Sequence, residues 1–439
     1  MSGSALGGLL FIVCIVLIAL RMPVAIAMFV VGAVGFVTMT SWSAFLGFLN
    51  TAPFGRVSSY SLSIVPLFLL MGQFATQAGL SRSLFESARA WIGHRRGGLA
   101  MATIGGCAAF GAICGSSIAT GATMAAVSLP EMKRSGYSGA LATGTLAAGG
   151  TLGILIPPSL ILVIYAIITE QSIGKLFLAA IVPGAIAVIG YAIAIAGYVR
   201  FHPDAGPAGP RVPWRERLRS LRHAWPVAAI FVLVIGGIYL GVFTPTEGAA
   251  IGAAATGLIA AMYGRLGWRA LRSCLIDTAQ ATAVIFLILI GADVYNTFLA
   301  LSQLPVELAS MLATSGLAPM SILIGVLLIY LLLGCVMDSL AMILLTVPVF
   351  FPLVTGLDFG MGEEATAIWF GILVLIVVEV GLITPPIGLN VYVINSLADG
   401  VPLAESFKGV VPFLLSDFVR IAIILAAPAT CLWLPGLMR

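Results

Sequence analysis

The sequence predicts an all-α polytopic membrane protein, folded as an inverted repeat with two re-entrant hairpins and two broken helices. Three observations carry that expectation. Apolar residues make up 60% and charged residues 9% of the 439, with a mean hydropathy of +1.13, where a water-soluble domain has about a quarter charged residues. Basic residues fall in alternate connections between apolar runs. A double proline interrupts an apolar run once in each half, at Pro157-Pro158 and Pro385-Pro386.

A spanning helix takes about 20 predominantly apolar residues, so the chain has length for roughly ten spans. The first run, Leu6 to Leu20, has no basic residue before it and is followed by Arg21 and a second apolar run. A signal peptide places its charge first and a cleavage site last, so this run reads as a retained first span. With Met1 outside, 17 of the 21 Lys and Arg lie on the cytoplasmic side, where such residues accumulate. The net charge of +4 is thus a topology signal; membrane lipid is the expected surrounding and no nucleic-acid partner is implied. Cys14, Cys107, Cys114, Cys274, Cys335 and Cys431 lie in apolar stretches without CxxC or Cys/His spacing and read as small buried hydrophobes.

The alternation requires two stretches that enter and leave on one side. Residues 98–130 are flanked by His94, Arg95 and Arg96 before and by Lys133 and Arg134 after, and their middle is the glycine-rich Gly111-Ala112-Ile113-Cys114-Gly115-Ser116-Ser117. Residues 318–356 behave likewise from the other side, broken at Gly334-Cys335-Val336-Met337-Asp338-Ser339. Irregular backbone at membrane depth needs protein or water partners, so both tips are expected to face the interior. The resulting layout is a first repeat over 1–200, with scaffold helices, an interfacial amphipathic helix at 81–96, the hairpin at 98–130 and a broken helix at 138–168. A Pro-rich, basic, solvated cytoplasmic linker at 201–223 leads to a second, inverted repeat over 224–439, with the hairpin at 318–356, a broken helix at 366–395 and a last span at 410–434.

The halves are related. Gly153 to Ser159 corresponds to Gly381 to Ile387 at an offset of 228, and Cys114 to Cys335 at 221. Proline removes an amide donor and clashes with the preceding turn, so each pair leaves helix ends and carbonyls unpaired. Broken helices in both halves of an inverted repeat point to a transporter's binding site: carbonyls and C-terminal ends suit a cation, N-terminal ends and hydroxyls a carboxylate.

At these residues the chain resembles the large membrane subunit (DctM-like) of tripartite ATP-independent periplasmic (TRAP) transporters. The matching segments are Arg21-Met22-Pro23, Ile64 to Phe68, Phe110 to Thr120, Ile156 to Ser159, Phe243 to Glu247, Met337-Asp338, Glu379 and Thr384 to Gly388. The resemblance implies an elevator-type ion-transporter-like fold, with the 81–96 helix as an arm between scaffold and moving unit. It also implies coupling to Na+ without an organic cofactor, and residence in a bacterial inner membrane with a periplasmic N-terminus. The partners implied are a separate small four-helix membrane subunit, a periplasmic substrate-binding protein and a small organic-acid solute such as a C4-dicarboxylate, sialic acid or sugar acid.

Hard cations prefer oxygen ligands. One cation site is therefore expected from Ser117 and Thr120 with Gly150, Thr151 and Gly153, and a second from Asp338 and Ser339 with Gly381 and Thr384. Ser116, Ser117, Ser159, Asp338 and Asn390 are the candidates for solute contact. An ionisable residue inside a membrane is functional by default, and Asp338 is open to three roles: cation ligand, solute contact or cap of the hairpin turn. Ser159 and Asn390 suit interhelical hydrogen bonds equally. Glu247 and Glu379 read as helix-pairing residues, and Asp417 with Arg420 as a neutralised pair on one helix face.

No catalytic residue is expected. HExxH and GxSxG are missing from the sequence, Gly291-Ala292-Asp293 is too common a string to indicate an aspartyl protease, and His94, His202 and His223 all fall in cytoplasmic segments. A stand-alone ion-coupled antiporter of the same architecture is the nearer alternative.

Overall fold

The computed structural model describes residues 2–314 and 316–437, which form helices joined by short connections, with no β-strand among them. The first half runs α1 (Gly3–Ala19), α2 (Val24–Met39), α3 (Trp42–Val57), α4 (Ile64–Gln77), α5 (Leu80–Ile92), α6 (Gly98–Cys114), α7 (Ser117–Arg134), α8 (Gly139–Leu155), α9 (Leu160–Ile168) and α10 (Ile173–Phe201). The second runs α11 (Trp214–Phe231), α12 (Gly237–Tyr239), α13 (Pro245–Met262), α14 (Trp268–Ser302), α15 (Leu304–Ala313), α16 (Pro319–Gly334), α17 (Ser339–Thr355), α18 (Glu363–Ile383), α19 (Leu389–Leu397), α20 (Leu403–Ala426) and α21 (Ala429–Leu432).

Among the described residues, five helical stretches are long and apolar enough to cross a membrane: α10, α11 continued through a π turn into α12, α14, α18 and α20. Two bent pairs pass the same test as composites, α3 with α4 at 49° and α8 with α9 at 43°. The other apolar helices, α1, α2, α6, α16 and α17, have 16 or 17 residues. They are shorter than a typical span of about 20 residues.

Small residues set the packing. With lipid outside, helices gain most from close backbone approach. A Cβ on Gly32 of α2 would fall 2.7 Å from Tyr295 Cα of α14, and one on Gly291 would fall 2.5 Å from Ala25 O. Helices α2, α4, α13 and α14 pack as one group, and α6, α7, α8, α10, α18 and α20 as another. In the second group, a Cβ on Gly111 would fall 2.6 Å from Gly153 Cα, and one on Gly381 would fall 2.6 Å from Gly334 Cα. Each hairpin thus docks on its broken helix by a glycine contact four residues ahead of the first proline.

Three expected elements take a different form. The helix near 81–96 lays Leu84 and Phe85, 8% and 2% exposed, against the protein, with α5 packed on α6 and α11. Its apolar face is therefore covered by protein and not by lipid. The linker expected at 201–223 is mostly exposed but helical from Trp214 onward, as the first turns of α11, where Trp91 meets Trp214 edge-on at 5.7 Å. Its earlier part is fastened by Gly97 N to Gly206 O at 2.9 Å, Gly209 N to Gly93 O at 3.0 Å and Ser138 N to Ala205 O at 2.9 Å. The last span, expected at 410–434, is α20 ending at Ala426, because Pro428 disfavours helical backbone at Ala427 (φ −134°, ψ 76°).

The two double-proline breaks differ in surroundings. Pro157 and Pro158 are buried, whereas Pro385 and Pro386 are exposed.

Candidate functional site

The hairpin tips are built by local capping. Helix α6 ends at Gly115, whose φ of +65° favours glycine. Ser116 then caps α7, its Oγ accepting from Ala119 N at 3.4 Å. In the second tip, Asp338 Oδ1 accepts from Leu340 N at 3.0 Å and Ala341 N at 3.1 Å, capping α17. The capping role of Asp338 is thus realised through one oxygen. Ser159, fully buried, caps α9 by accepting from Leu162 N at 3.4 Å.

A cavity of about 140 Å³ lies between the tips, lined by Ser116, Ser117 and Ile118, by Asp338, Ser339 and Leu340, and by Leu160 and Ile161, among others. These are the first turns of α7, α17 and α9, so three helix N-termini converge on one small volume, and none of its lining residues is basic. Helix N-termini present unpaired N–H groups and the positive end of the helix dipole, a receiver for an anion. Ile154 and Leu382, each just ahead of a double proline, complete an apolar wall.

Beside the cavity, oxygens gather around α8. A Cβ on Gly153 would fall 2.4 Å from Thr120 Oγ1 and 2.8 Å from Ser116 O; one on Gly150 would fall 3.0 Å from Ser117 O and 3.5 Å from Asn390 Nδ2. Thr120 Oγ1 and Asn390 Oδ1 are buried without a hydrogen-bond partner, an arrangement a cation would satisfy. Ser116, Ser117, Thr120, Gly150 and Gly153 are therefore brought together. Asn390 joins this group, donating to Ala147 O at 3.5 Å, and is not among the residues lining the tip cavity.

The remaining expected ligands are arranged less directly. Thr151 commits its hydroxyl to Ala148 O at 2.6 Å and stands 3.3 Å from Tyr191 Oη. Thr384 Oγ1 donates to Val380 O at 2.6 Å. Gly381 meets Gly334 backbone, leaving Asp338 and Ser339 as the second-repeat residues that line the cavity.

Other charged residues find partners that spacing did not reveal. Arg56 pairs with Asp293 on the wall of a separate cavity of about 580 Å³ between α3, α14 and α9. Glu247 forms a capping box with Thr244 at the start of α13 and does not pair helices. Asp417 and Arg420 do form an ion pair, at 2.9 Å, and Glu379 joins it, with Oε2 3.9 Å from Arg420 Nη2.

Comparison with known proteins agrees with this architecture. A crystal structure of the Alcanivorax borkumensis YdaH transporter superposes with a TM-score of 0.65 over 89% of this chain and 90% of that one, at 15% identity, a likeness of fold. The C4-dicarboxylate TRAP transporter large permease protein DctM of Pseudomonas aeruginosa is 38% identical over 86% of each chain. The sialic acid TRAP transporter large permease protein SiaM of Vibrio cholerae is 31% identical, over 100% of this chain and 99% of its own. The ectoine TRAP transporter large permease protein TeaC of Halomonas elongata is 30% identical over 96% and 97%. These relatives are transport proteins, not enzymes, and the apolar helices here are those of a multi-pass inner-membrane protein. The family model described as "Tripartite ATP-independent periplasmic transporter, DctM component" matches residues 11–430, and the chain belongs to that family.

Proposed function

We propose that this chain is the solute-translocating subunit of a sodium-coupled importer of small organic acids, fed by a periplasmic binding protein and completed by a small four-helix membrane subunit. The convergence of three helix N-termini on a cavity of about 140 Å³ without a basic lining residue is the observation that carries it. A carboxylate there is held by backbone N–H groups and the hydroxyls of Ser116, Ser117 and Ser339. Asp338 opposes an anion unless a cation is bound with it, which ties solute to ion. The oxygen cradle of Ser116, Ser117, Thr120, Gly150 and Gly153 suits one sodium ion, and Asp338 and Ser339, near Gly381 and Thr384, suit a second. Movement of the α6–α10 and α16–α20 units past the α2, α4, α13 and α14 group supplies elevator-type alternating access. The solutes in the relatives' names, C4-dicarboxylates, sialic acid and ectoine, mark the range to test.

Proteoliposomes holding this chain with its small subunit are expected to take up a labelled organic acid only with both an inward sodium gradient and the binding protein. Uptake without the binding protein would make the chain a stand-alone carrier. The orientation has a separate check. Cysteines at the exposed Lys133 and Arg215 should react only with cytoplasmic reagent and one at the exposed Glu364 only with periplasmic reagent; the reverse pattern inverts the topology.

A further inference from the structure

Thr151 in α8 and Glu379 in α18 are separated by 228 residues, the offset that also relates Pro157 to Pro385. They are the same position of the two broken helices, each four residues before its helix ends at Leu155 or Ile383. A continuous chain of polar groups runs between them. Tyr191 of α10 stands 3.3 Å from Thr151 Oγ1 and donates to Asp417 Oδ2 at 2.9 Å. Asp417 Oδ1 lies 2.9 Å from Arg420 Nη2 one turn later on α20, and the same Nη2 lies 3.9 Å from Glu379 Oε2. All five residues are at most 1% exposed, and none lines the cavity between the tips.

Burying two carboxylates and a guanidinium carries a desolvation cost that well-packed apolar residues would avoid, so such a set is weak evidence for a stability role. What it supplies is geometry. Thr151 and Tyr191 give their hydroxyl hydrogens to Ala148 O and Asp417 and meet as two oxygens 3.3 Å apart, while at the far end both Glu379 oxygens, Asp417 Oδ1 and all three guanidinium nitrogens of Arg420 lack hydrogen-bond partners. At 3.9 Å the Arg420–Glu379 contact is an ion pair, and a shift of α18 by about 1 Å would turn it into a hydrogen bond. That contact lies two residues from Gly381.

We infer that Tyr191, Asp417 and Arg420 are positioning residues forming a brace between equivalent points of the two broken helices, and that the brace couples cation occupancy of one repeat to that of the other. The inference rests on the sodium-coupled reading above. In this scheme an ion drawing in the α8 cradle orders Thr151, and through Tyr191 and α20 sets the position of Glu379 and hence of the second break. Neither ion then binds independently.

The test is the sodium activation curve of uptake by the reconstituted transporter with its partners. The wild-type curve is expected to be sigmoidal; a wild type indifferent to sodium would refute the sodium-coupled reading itself, before any variant is made. Tyr191→Phe removes only the hydroxyl and keeps the ring edge-on to Phe413 at 5.3 Å. It should raise half-saturating sodium roughly fivefold and lower the Hill coefficient to one, leaving the solute KM at saturating sodium unchanged. Glu379→Gln, of the same shape at the other end, should flatten the curve too. If the variants lose only maximal rate or thermal stability while the curve stays sigmoidal, the network is scaffolding. Failure of both near-isosteric variants to fold would mean the same and would also end the proposal.

Discussion

Asp338→Asn is expected to abolish sodium-driven uptake while leaving the protein folded and in the membrane. The substitution separates two roles that meet on one side chain. Asp338 caps α17 through Oδ1, with Leu340 N and Ala341 N as donors, and asparagine caps a helix as well as aspartate does. The hairpin tip is therefore retained. What disappears is the negative charge beside the cavity between the tips. A charge-assisted contact in a buried site is worth about 3 kcal/mol, roughly a hundredfold in cation affinity. Uptake of labelled solute against a sodium gradient, with size-exclusion profiles of the purified variant, checks both halves of the expectation. Parental uptake by the folded variant would reduce Asp338 to a cap.

Gly153→Ala should strike the other cradle with comparable force. Its methyl would fall 2.4 Å from Thr120 Oγ1 and 2.8 Å from Ser116 O. Thr120 is a β-branched residue in a helix, with little rotamer freedom to yield, and Ser116 O is backbone. The methyl thus occupies the space the oxygens surround. Half-saturating sodium should rise about fivefold to a hundredfold, since overpacking a tight site costs about 1–3 kcal/mol. Gly197→Ala, with nothing within 4 Å of its added Cβ, serves as the matched control. Equal sodium curves for the two variants would remove Gly153 from the cation site.

The features legible in the sequence were those written in local chemistry. Gly115-Ser116 and Met337-Asp338 announce breaks because glycine and capping residues end and begin helices wherever they stand. Pro157-Pro158 and Pro385-Pro386 do the same for the broken helices, and their common offset exposes the repeat. Side-chain partners across the fold were not legible. Tyr191 and Asp417 are 226 residues apart, and Arg56 and Asp293 are 237 apart; no periodicity connects such positions. Asn390 illustrates the intermediate case. Its nearness to Pro385-Pro386 left it open between solute contact and an interhelical hydrogen bond, and it reaches across to Ala147 and the first-repeat cradle, because α19 packs on α7 and α8. The apolar face of α5 was visible as a pattern, but amphipathicity cannot tell lipid from α6.

The burial of Pro157-Pro158 and the exposure of Pro385-Pro386 amount to a broken symmetry. The two segments match in sequence and share the same glycine docking, Gly111 on Gly153 and Gly334 on Gly381, yet one is enclosed and the other open. Exchanging the surroundings of the halves does not return the starting object. It yields a mirror arrangement of roles in which the first break is open and the second enclosed, assembled from the same kinds of contact. Under the alternating-access reading proposed above, the asymmetry of this one conformation outlines its counterpart, and the small-residue contacts that permit the first would permit the second.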